Sequence, residues 1–256
     1  MTVFPNVKLN LGLRVLGRRS DGFHELETLF VPCDRWKDEL TVLPSERFSI
    51  AIEGPSYTGW DPSADLCARA WMLLKERYGI DSVSIHLVKN SPVGAGLGGG
   101  SADAAFALMA MNDIFSLGLP KSELASLAAE LGSDCPFFIY NTPMLASGRG
   151  EILEPYALDL SEYEFRVEVP EGVAVSTREA YAGVDAAEGR VPSEPVRSVL
   201  ALPAGQWKGR LVNDFEPSVF ALHPQIEALR NKMYSEGAIY AAMSGSGSAV
   251  FGIFAK

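Results

Sequence analysis

Cysteine is scarce in this chain, and the few residues present are not placed to act together. Cys33, Cys67 and Cys135 are far apart and form no C-x-x-C. That spacing argues against a disulfide framework or a zinc site and fits a reducing compartment. Long apolar runs are missing as well. No stretch reaches the ~18 residues of a membrane-spanning helix. Residues 1–14 alternate and carry charges, unlike a secretory leader. A cytoplasmic protein with no membrane partner is therefore expected. Basic residues are in deficit, 22 Lys and Arg against 32 Asp and Glu, for a net charge of −10. This argues against nucleic acid as a partner. Internal repeats and low-complexity tracts are absent too. What remains is a chain of 256 residues, 47% hydrophobic, enough for one large domain or two small ones.

Glycine, by contrast, is concentrated. Pro92, Val93, Gly94, Ala95, Gly96, Leu97, Gly98, Gly99, Gly100, Ser101 and Ala102 place five glycines within seven residues, and an alanine-rich run follows at once. Such a loop can turn several N–H groups into one concavity and let a ligand approach the backbone. The first turn of the helix behind it adds unsatisfied N–H donors and the positive end of the dipole. Together they predict a phosphate site. Ser101 is placed to cap that helix and to reach a phosphate or a metal ion. Gly94, Gly96 and Gly99 also satisfy G-x-G-x-x-G. A dinucleotide fold, however, needs a second strand ending in an acid about 20 residues on. Here a helical pattern runs through Ala107, Leu108, Met111 and Phe115 to a break at Gly118 and Pro120. No Lys-Ser/Thr pair follows the glycines, so the Walker pattern fails as well. Against the acidic average, the phosphate site needs local cations; Lys8, Arg18, Arg19, Lys89 and Arg149 are the candidates.

Along the chain, residues 7–13 alternate strictly, predicting a strand with Val7, Leu9, Leu11 and Leu13 on the core face. The pattern alone leaves Lys8 and Asn10 on a solvated face. Residues 17–25 form a polar loop with turn chemistry at Asp21-Gly22, carrying a Phe23-His24 pair suited to stacking on and reading a planar ring. Further strands are expected at 26–31, 39–43, 48–52 and 83–88, with His86 structural. Helices are expected at 63–78, closed by Gly79, and at 121–131. Asp134 then sits at a corner before a short apolar strand at 137–140; alone it reads as a turn aspartate or as a carboxylate aimed at a hydroxyl. Past residue 155 the expected elements are strands at 165–169 and 173–175, a helix at 176–181, a surface loop at 183–195, a long helix at 217–235, and strands at 238–242 and 249–254. The last two flank Met243, Ser244, Gly245, Ser246, Gly247 and Ser248. This glycine-serine segment is a tight turn that could also face the first loop. Two α+β domains are predicted, residues 1–155 and 156–256.

Four separated stretches resemble one family. Residues 92–105 are similar to the phosphate loop of the GHMP kinases. The triple glycine before Ser101 resembles the variant of the 4-diphosphocytidyl-2-C-methyl-D-erythritol kinase family within that superfamily. Residues 4–11 (Phe-Pro-Asn-Val-Lys-Leu-Asn-Leu) resemble that family's opening strand, and residues 17–26 its Gly-Arg-Arg-x-Asp-Gly-Tyr-His-x-Leu stretch. Residues 131–138 resemble its Leu-Gly-Ala/Ser-Asp-Val/Cys-Pro-Phe-Phe corner, and residues 243–248 its final motif.

The resemblance implies a two-domain GHMP kinase fold, with an N-terminal ribosomal-protein-S5-like domain and a C-terminal ferredoxin-like α/β sandwich. It implies ATP-dependent phosphorylation of the 2-hydroxyl of 4-diphosphocytidyl-2-C-methyl-D-erythritol, in the non-mevalonate route to isoprenoid precursors. Lys8 and Asp134 match the family's catalytic pair, residues 92–102 its ATP loop, and Ser101 a Mg²⁺ contact. Phe23 and His24 match its base-reading Tyr-His, with the tyrosine hydroxyl lost. Asn10, Thr177 and Tyr181 are further substrate contacts, Tyr181 as a second aromatic against the ring. Asp65 stands where relatives often carry Asn near the nucleotide. A monomer or weak homodimer is expected. The alternatives are another GHMP small-molecule kinase, of homoserine or mevalonate type, and a non-catalytic nucleotide sensor on the same scaffold.

Overall fold

A computed structural model describes residues 1–187 and 193–256. In chain order the elements are β1 (Thr2–Val3), β2 (Asn6–Arg18), β3 (His24–Lys37), β4 (Glu39–Pro44), β5 (Ser49–Glu53), α1 (Leu66–Tyr78), β6 (Val83–Val88), α2 (Gly99–Ile114), α3 (Lys121–Leu131), α4 (Cys135–Tyr140), β7 (Met144–Gly148), β8 (Ile152–Pro155), β9 (Tyr163–Glu168), α5 (Thr177–Asp185), α6 (Val196–Leu200), α7 (Glu216–Leu222), α8 (Pro224–Ser235), β10 (Tyr240–Met243) and β11 (Val250–Ala255). The class is α+β, as expected. Two compact units interleave along the chain: Met1–Lys8, Pro32–Val93 and Gly98–Thr142 form one, and Leu9–Val31, Gly94–Leu97 and Pro143–Lys256 the other. A single cut at residue 155 does not coincide with this division.

In the first unit the sheet order is β1-β4-β6-β5, with β5 parallel to β6 and β4 antiparallel to it. Val83, Ile85 and Leu87 of β6 are buried, while His86 on the other face is exposed and pairs with Glu53. Helices α1 and α4 pack on α2, which also contacts β4. A helix enclosed on most sides must be apolar nearly all round. Accordingly Ala102, Ala104, Ala105, Ala107, Leu108, Ala110 and Met111 are all buried.

In the second unit one sheet has the order β2-β3-β7-β8 and the other β10-β11-β9. The second is antiparallel throughout, with Met243 opposite Val250 and Val250 opposite Glu168. Helix α8 lies against β10 and β11. The core there gathers Leu13, Leu26, Phe215, Val219, Ile226, Met233, Met243 and Phe254.

Several expectations need correction. Residues 137–140 are helical, within α4. Four consecutive apolar residues carry no period that separates strand from helix. Pro136 in the first turn favours the helix, and Asn141, with φ +51°, closes it by donating its N–H to Phe137 O at 2.8 Å. The helix expected over 217–235 is broken into α7 and α8. Pro224 lacks an N–H and pushes His223 out of the helical region, to φ −130° and ψ 69°. The helix expected from Ser63 begins at Leu66. Asp65 caps it, accepting from Cys67 N at 2.9 Å, and Pro62–Ala64 form a separate 3₁₀ turn. Residues 173–175 lie outside the sheets; Val173 closes a turn begun by Pro170 and residues 174–175 follow it. The part of the expected 183–195 loop at 188–192 lies outside the described residues, and residues 183–185 belong to α5.

Candidate active site

Within the first unit, β2, the glycine segment and the α3–α4 corner come together. Strand β2 is buried on both faces from Asn6 to Leu13, so the alternation that suggested a solvated polar face hides two buried ones. Lys8 is 3% exposed and its Nζ lies 3.4 Å from Asp134 Oδ2. The Asp134 side chain is one-third exposed: the ammonium is enclosed and the carboxylate reaches solvent. Gly98 adopts φ +72°. A Cβ there would stand 3.1 Å from Phe138 Cζ and 3.2 Å from Lys8 Cγ and Cε. The glycine thus lets the loop end close on the Lys8 stem, with positive φ that other residues avoid.

Gly98 is also the N-cap of α2, so Ser101 does not cap it. Ser101 is the helix's third residue; a glycine in the left-handed region starts the helix three residues earlier than a cap at Ser101 would. The Ser101 hydroxyl faces the α3–α4 corner, 3.9 Å from where a Gly132 Cβ would be. The first-turn N–H groups of α2, the Lys8 ammonium and the Asp134 carboxylate therefore share one locality, as an anion site with an adjacent carboxylate requires.

Lys89 is not a free cation for phosphate. Its Nζ donates to Asp38 Oδ2 at 2.5 Å, Asp103 Oδ2 at 2.7 Å and Ser91 Oγ at 3.1 Å, and all three charged side chains are buried. Burial works against the Lys89 ammonium, but Asp103 and Asp38 more than reverse it, so its pKa is raised. Burial pushes the Asp103 carboxyl well above the ordinary carboxylate range, against the pull of Lys89. Asp38 Oδ1 accepts from Asn90 N and Ser91 N, each at 2.7 Å. This network sits under the helix start: a Cβ on Gly99 would be 2.5 Å from Ser91 Oγ and 3.3 Å from Lys89 Nζ. Asp38 and Asp103 escaped the sequence reading because nothing local marks a carboxylate whose partner is remote in sequence.

In the second unit, Gly94–Leu97 lies directly against the turn between β10 and β11. Ser244 Oγ donates to Gly96 O at 3.1 Å, and Ala249 N donates to Ala95 O at 3.1 Å. A Cβ on Gly96, whose φ is +75°, would fall 2.1 Å from Ser244 O. Asn213 Nδ2 clamps the same turn through Met243 O and Gly245 O, both at 2.8 Å. Asn10 is buried; its N–H reaches Ser244 Oγ at 3.3 Å and its Nδ2 donates to Thr28 Oγ1 at 3.0 Å. Thr177 Oγ1 lies 3.1 Å from Ser246 Oγ.

A third cluster in this unit is aromatic. Phe23 is half exposed, with the Arg149 guanidinium 4.7 Å over its ring. The His24 ring stacks on Tyr181 at 4.4 Å and 16°, and Tyr181 meets Phe215 edge-on. His24 Nε2 is 2.8 Å from Asp185 Oδ1. Of the other basic candidates, Arg19 pairs with Asp21 and Glu25, and Arg18 Nε is 3.5 Å from Gly22 O.

Comparison with known proteins places these clusters in a family. The GHMP kinases N terminal domain family matches residues 65–142, and the GHMP kinases C terminal family matches residues 200–256. A 4-diphosphocytidyl-2-C-methyl-D-erythritol kinase of Parabacteroides distasonis is 46% identical over 261 residues, covering 100% of this chain and 92% of its own length. One from Azobacteroides pseudotrichonymphae is 44% identical over 256 residues, covering 100% and 94%. The chain belongs to the 4-diphosphocytidyl-2-C-methyl-D-erythritol kinase family of GHMP kinases. A solved 4-(cytidine 5′-diphospho)-2C-methyl-D-erythritol kinase superposes with a TM-score of 0.81 at 36% identity, covering 99% of this chain and 90% of that one. A homoserine kinase from Cytophaga hutchinsonii gives a TM-score of 0.68 at 19% identity, over 98% and 86%, and so shares the fold. The protein is thus a GHMP-family kinase that uses ATP. No helix of the described residues is long and apolar enough to cross a membrane.

Proposed function

We propose that the chain moves the γ-phosphate of ATP to the 2-hydroxyl of 4-diphosphocytidyl-2-C-methyl-D-erythritol, a step toward isoprenoid precursors. The observation that carries the reading is the Lys8–Asp134 pair beside the start of α2, 3.4 Å apart. Asp134 orients the acceptor hydroxyl and takes its proton. Lys8 holds Asp134 in place and neutralises charge on the transferring group. Phosphoryl transfer passes through a loose transition state, so positioning and charge stabilisation dominate the barrier. The loop of residues 92–102, through its amides and the helix start, holds the triphosphate.

Among the described residues no group of three or more His, Cys, Asp or Glu side chains could hold a metal. A Mg²⁺ carried mainly by the nucleotide phosphates needs only one or two protein oxygens. The Ser101 hydroxyl in the first turn of α2 would touch it. The ion neutralises phosphate charge when bound.

Phe23 and Tyr181 supply aromatic faces for the cytosine, and His24 reads its edge. Asn10 and Thr177 contact the substrate. The protein works in the cytoplasm, as a monomer or weak homodimer.

The experiment is transfer of labelled γ-phosphate from Mg²⁺-ATP to the cytidyl substrate, with homoserine and mevalonate as competitors. Label appearing on either competitor, and not on the cytidyl compound, overturns the assignment.

A further inference from the structure

Helix α5 carries Tyr181 and Asp185 one turn apart, so both project from the same face. They hold His24 in two ways. Tyr181 stacks on the imidazole face at 4.4 Å and 16°, while Asp185 Oδ1 sits 2.8 Å from Nε2 at the ring edge. The His24 side chain is 9% exposed, so its plane is set by packing. An ionised carboxylate only accepts hydrogen bonds, so Nε2 carries the hydrogen, and in the neutral imidazole Nδ1 then keeps the lone pair. Nδ1 makes no hydrogen bond among the described residues. Among those residues the buried side-chain atoms lacking a partner are Asp103 Oδ1 and His223 Nε2. Nδ1 of His24 is therefore open to solvent.

We propose that Asp185 is a specificity-positioning residue: by fixing the Nε2–H form of His24 it presents Nδ1 as an acceptor that favours cytosine over uracil. The inference rests on the proposed reading of His24 as the base contact. Cytosine offers an exocyclic amine, which donates. Uracil offers a carbonyl at the same position, and two acceptors facing each other leave both unpaired. No residue of the Phe23-His24 segment makes this choice, because a neutral imidazole can hold its hydrogen on either nitrogen. A carboxylate outside the segment decides it.

Asp185→Asn tests the idea. Its amide can donate to Nε2, which moves the imidazole hydrogen to Nδ1 and turns an acceptor into a donor. The full-length enzyme with Mg²⁺-ATP is assayed at about pH 8, where free imidazole is neutral, on the cytidyl substrate and its uridyl counterpart. The ratio of the two kcat/KM values falls at least about tenfold in Asp185→Asn, and Asp185→Glu restores it in part. An unchanged ratio in Asp185→Asn and Asp185→Ala overturns the proposal while leaving the kinase assignment intact. If the wild type ignores both nucleotides, the kinase assignment itself fails, and this inference with it. Nitrogen NMR of the three histidines, with His24 identified by deletion, gives an independent reading. The wild type shows the Nε2–H form at His24; an Nδ1–H form refutes the proposal even if the variants fold poorly.

Discussion

Replacing Lys89 with methionine isolates the cost of the buried charge network under the phosphate loop. Methionine keeps most of the stem volume and removes the ammonium. Asp38 retains donors from Asn90 N, Ser91 N and Ser91 Oγ. Asp103 loses the donor on Oδ2, and its Oδ1 already has none. A carboxyl stripped of its ammonium partner is then left in a side chain that is 2% exposed. Breaking a buried pair from one side costs about 3–5 kcal/mol. For a chain of this size each kcal/mol shifts Tm by roughly 2–4 °C, so a fall of roughly 6–20 °C is expected at pH 8.

The deficit depends on pH with a definite sign. Burial already raises the folded-state pKa of Asp103 above its ordinary 3.8, and losing Lys89 raises it further. The folded state then binds a proton more tightly than the unfolded chain. Stability is gained as pH falls through the folded pKa toward 3.8. The gap between Lys89→Met and wild type therefore narrows on acidification from pH 8 to pH 5. Adding Asp103→Leu to Lys89→Met recovers part of the loss by removing the orphaned carboxylate. Urea unfolding at the two pH values measures all of this. A deficit below about 1 kcal/mol, the range of exposed pairs, or one that is equal at both pH values, would refute the reasoning.

Asp134→Asn keeps the shape of the corner and removes the proton acceptor, so kcat falls by about 10²–10⁴, with the KM for ATP nearly unchanged. A loss seen mainly in the ATP KM would move Asp134 from the reacting hydroxyl to the nucleotide. Gly96→Ala and Gly100→Ala should separate fold from ligand. The first drives a Cβ to 2.1 Å from Ser244 O at φ +75°, whereas the second meets no protein atom within 4 Å. Gly96→Ala lowers Tm, while Gly100→Ala, in the first turn of a helix, leaves Tm level or higher and weakens ATP binding from the ligand side. Equal Tm values for the two would contradict the close approach at Gly96. All three cysteines are buried, and burial pushes the Cys135 thiol up to about 12 and those of Cys33 and Cys67 above their ordinary range. Ellman's reagent at pH 8 should find no rapidly reacting thiol until denaturant is added.

Where the chemistry is local, the sequence alone determined this protein. Clustered glycines before an alanine-rich run specify a loop that takes positive φ and a helix start that offers its amides. Alternation along 83–88 specifies a strand with a buried face, and a helix ends where Gly79 follows it. Each rests on backbone conformations and spacings read within a few residues. Which faces meet protein and which meet water was decided only in three dimensions. Lys8 and Asn10 fall on the polar side of an alternating strand, yet both are buried, because period-two alternation does not say what covers the second face. Lys89 looks like a phosphate cation until Asp38 and Asp103 close on it. His24 shows no preferred tautomer until α5 brings Asp185 to its edge. The apolar run at 137–140 is as compatible with a strand as with the helix it forms against α2 and α3. In each case the deciding partner is far away along the chain, and the free energy that selects it is that of burying charge or apolar surface, which no short window of sequence contains.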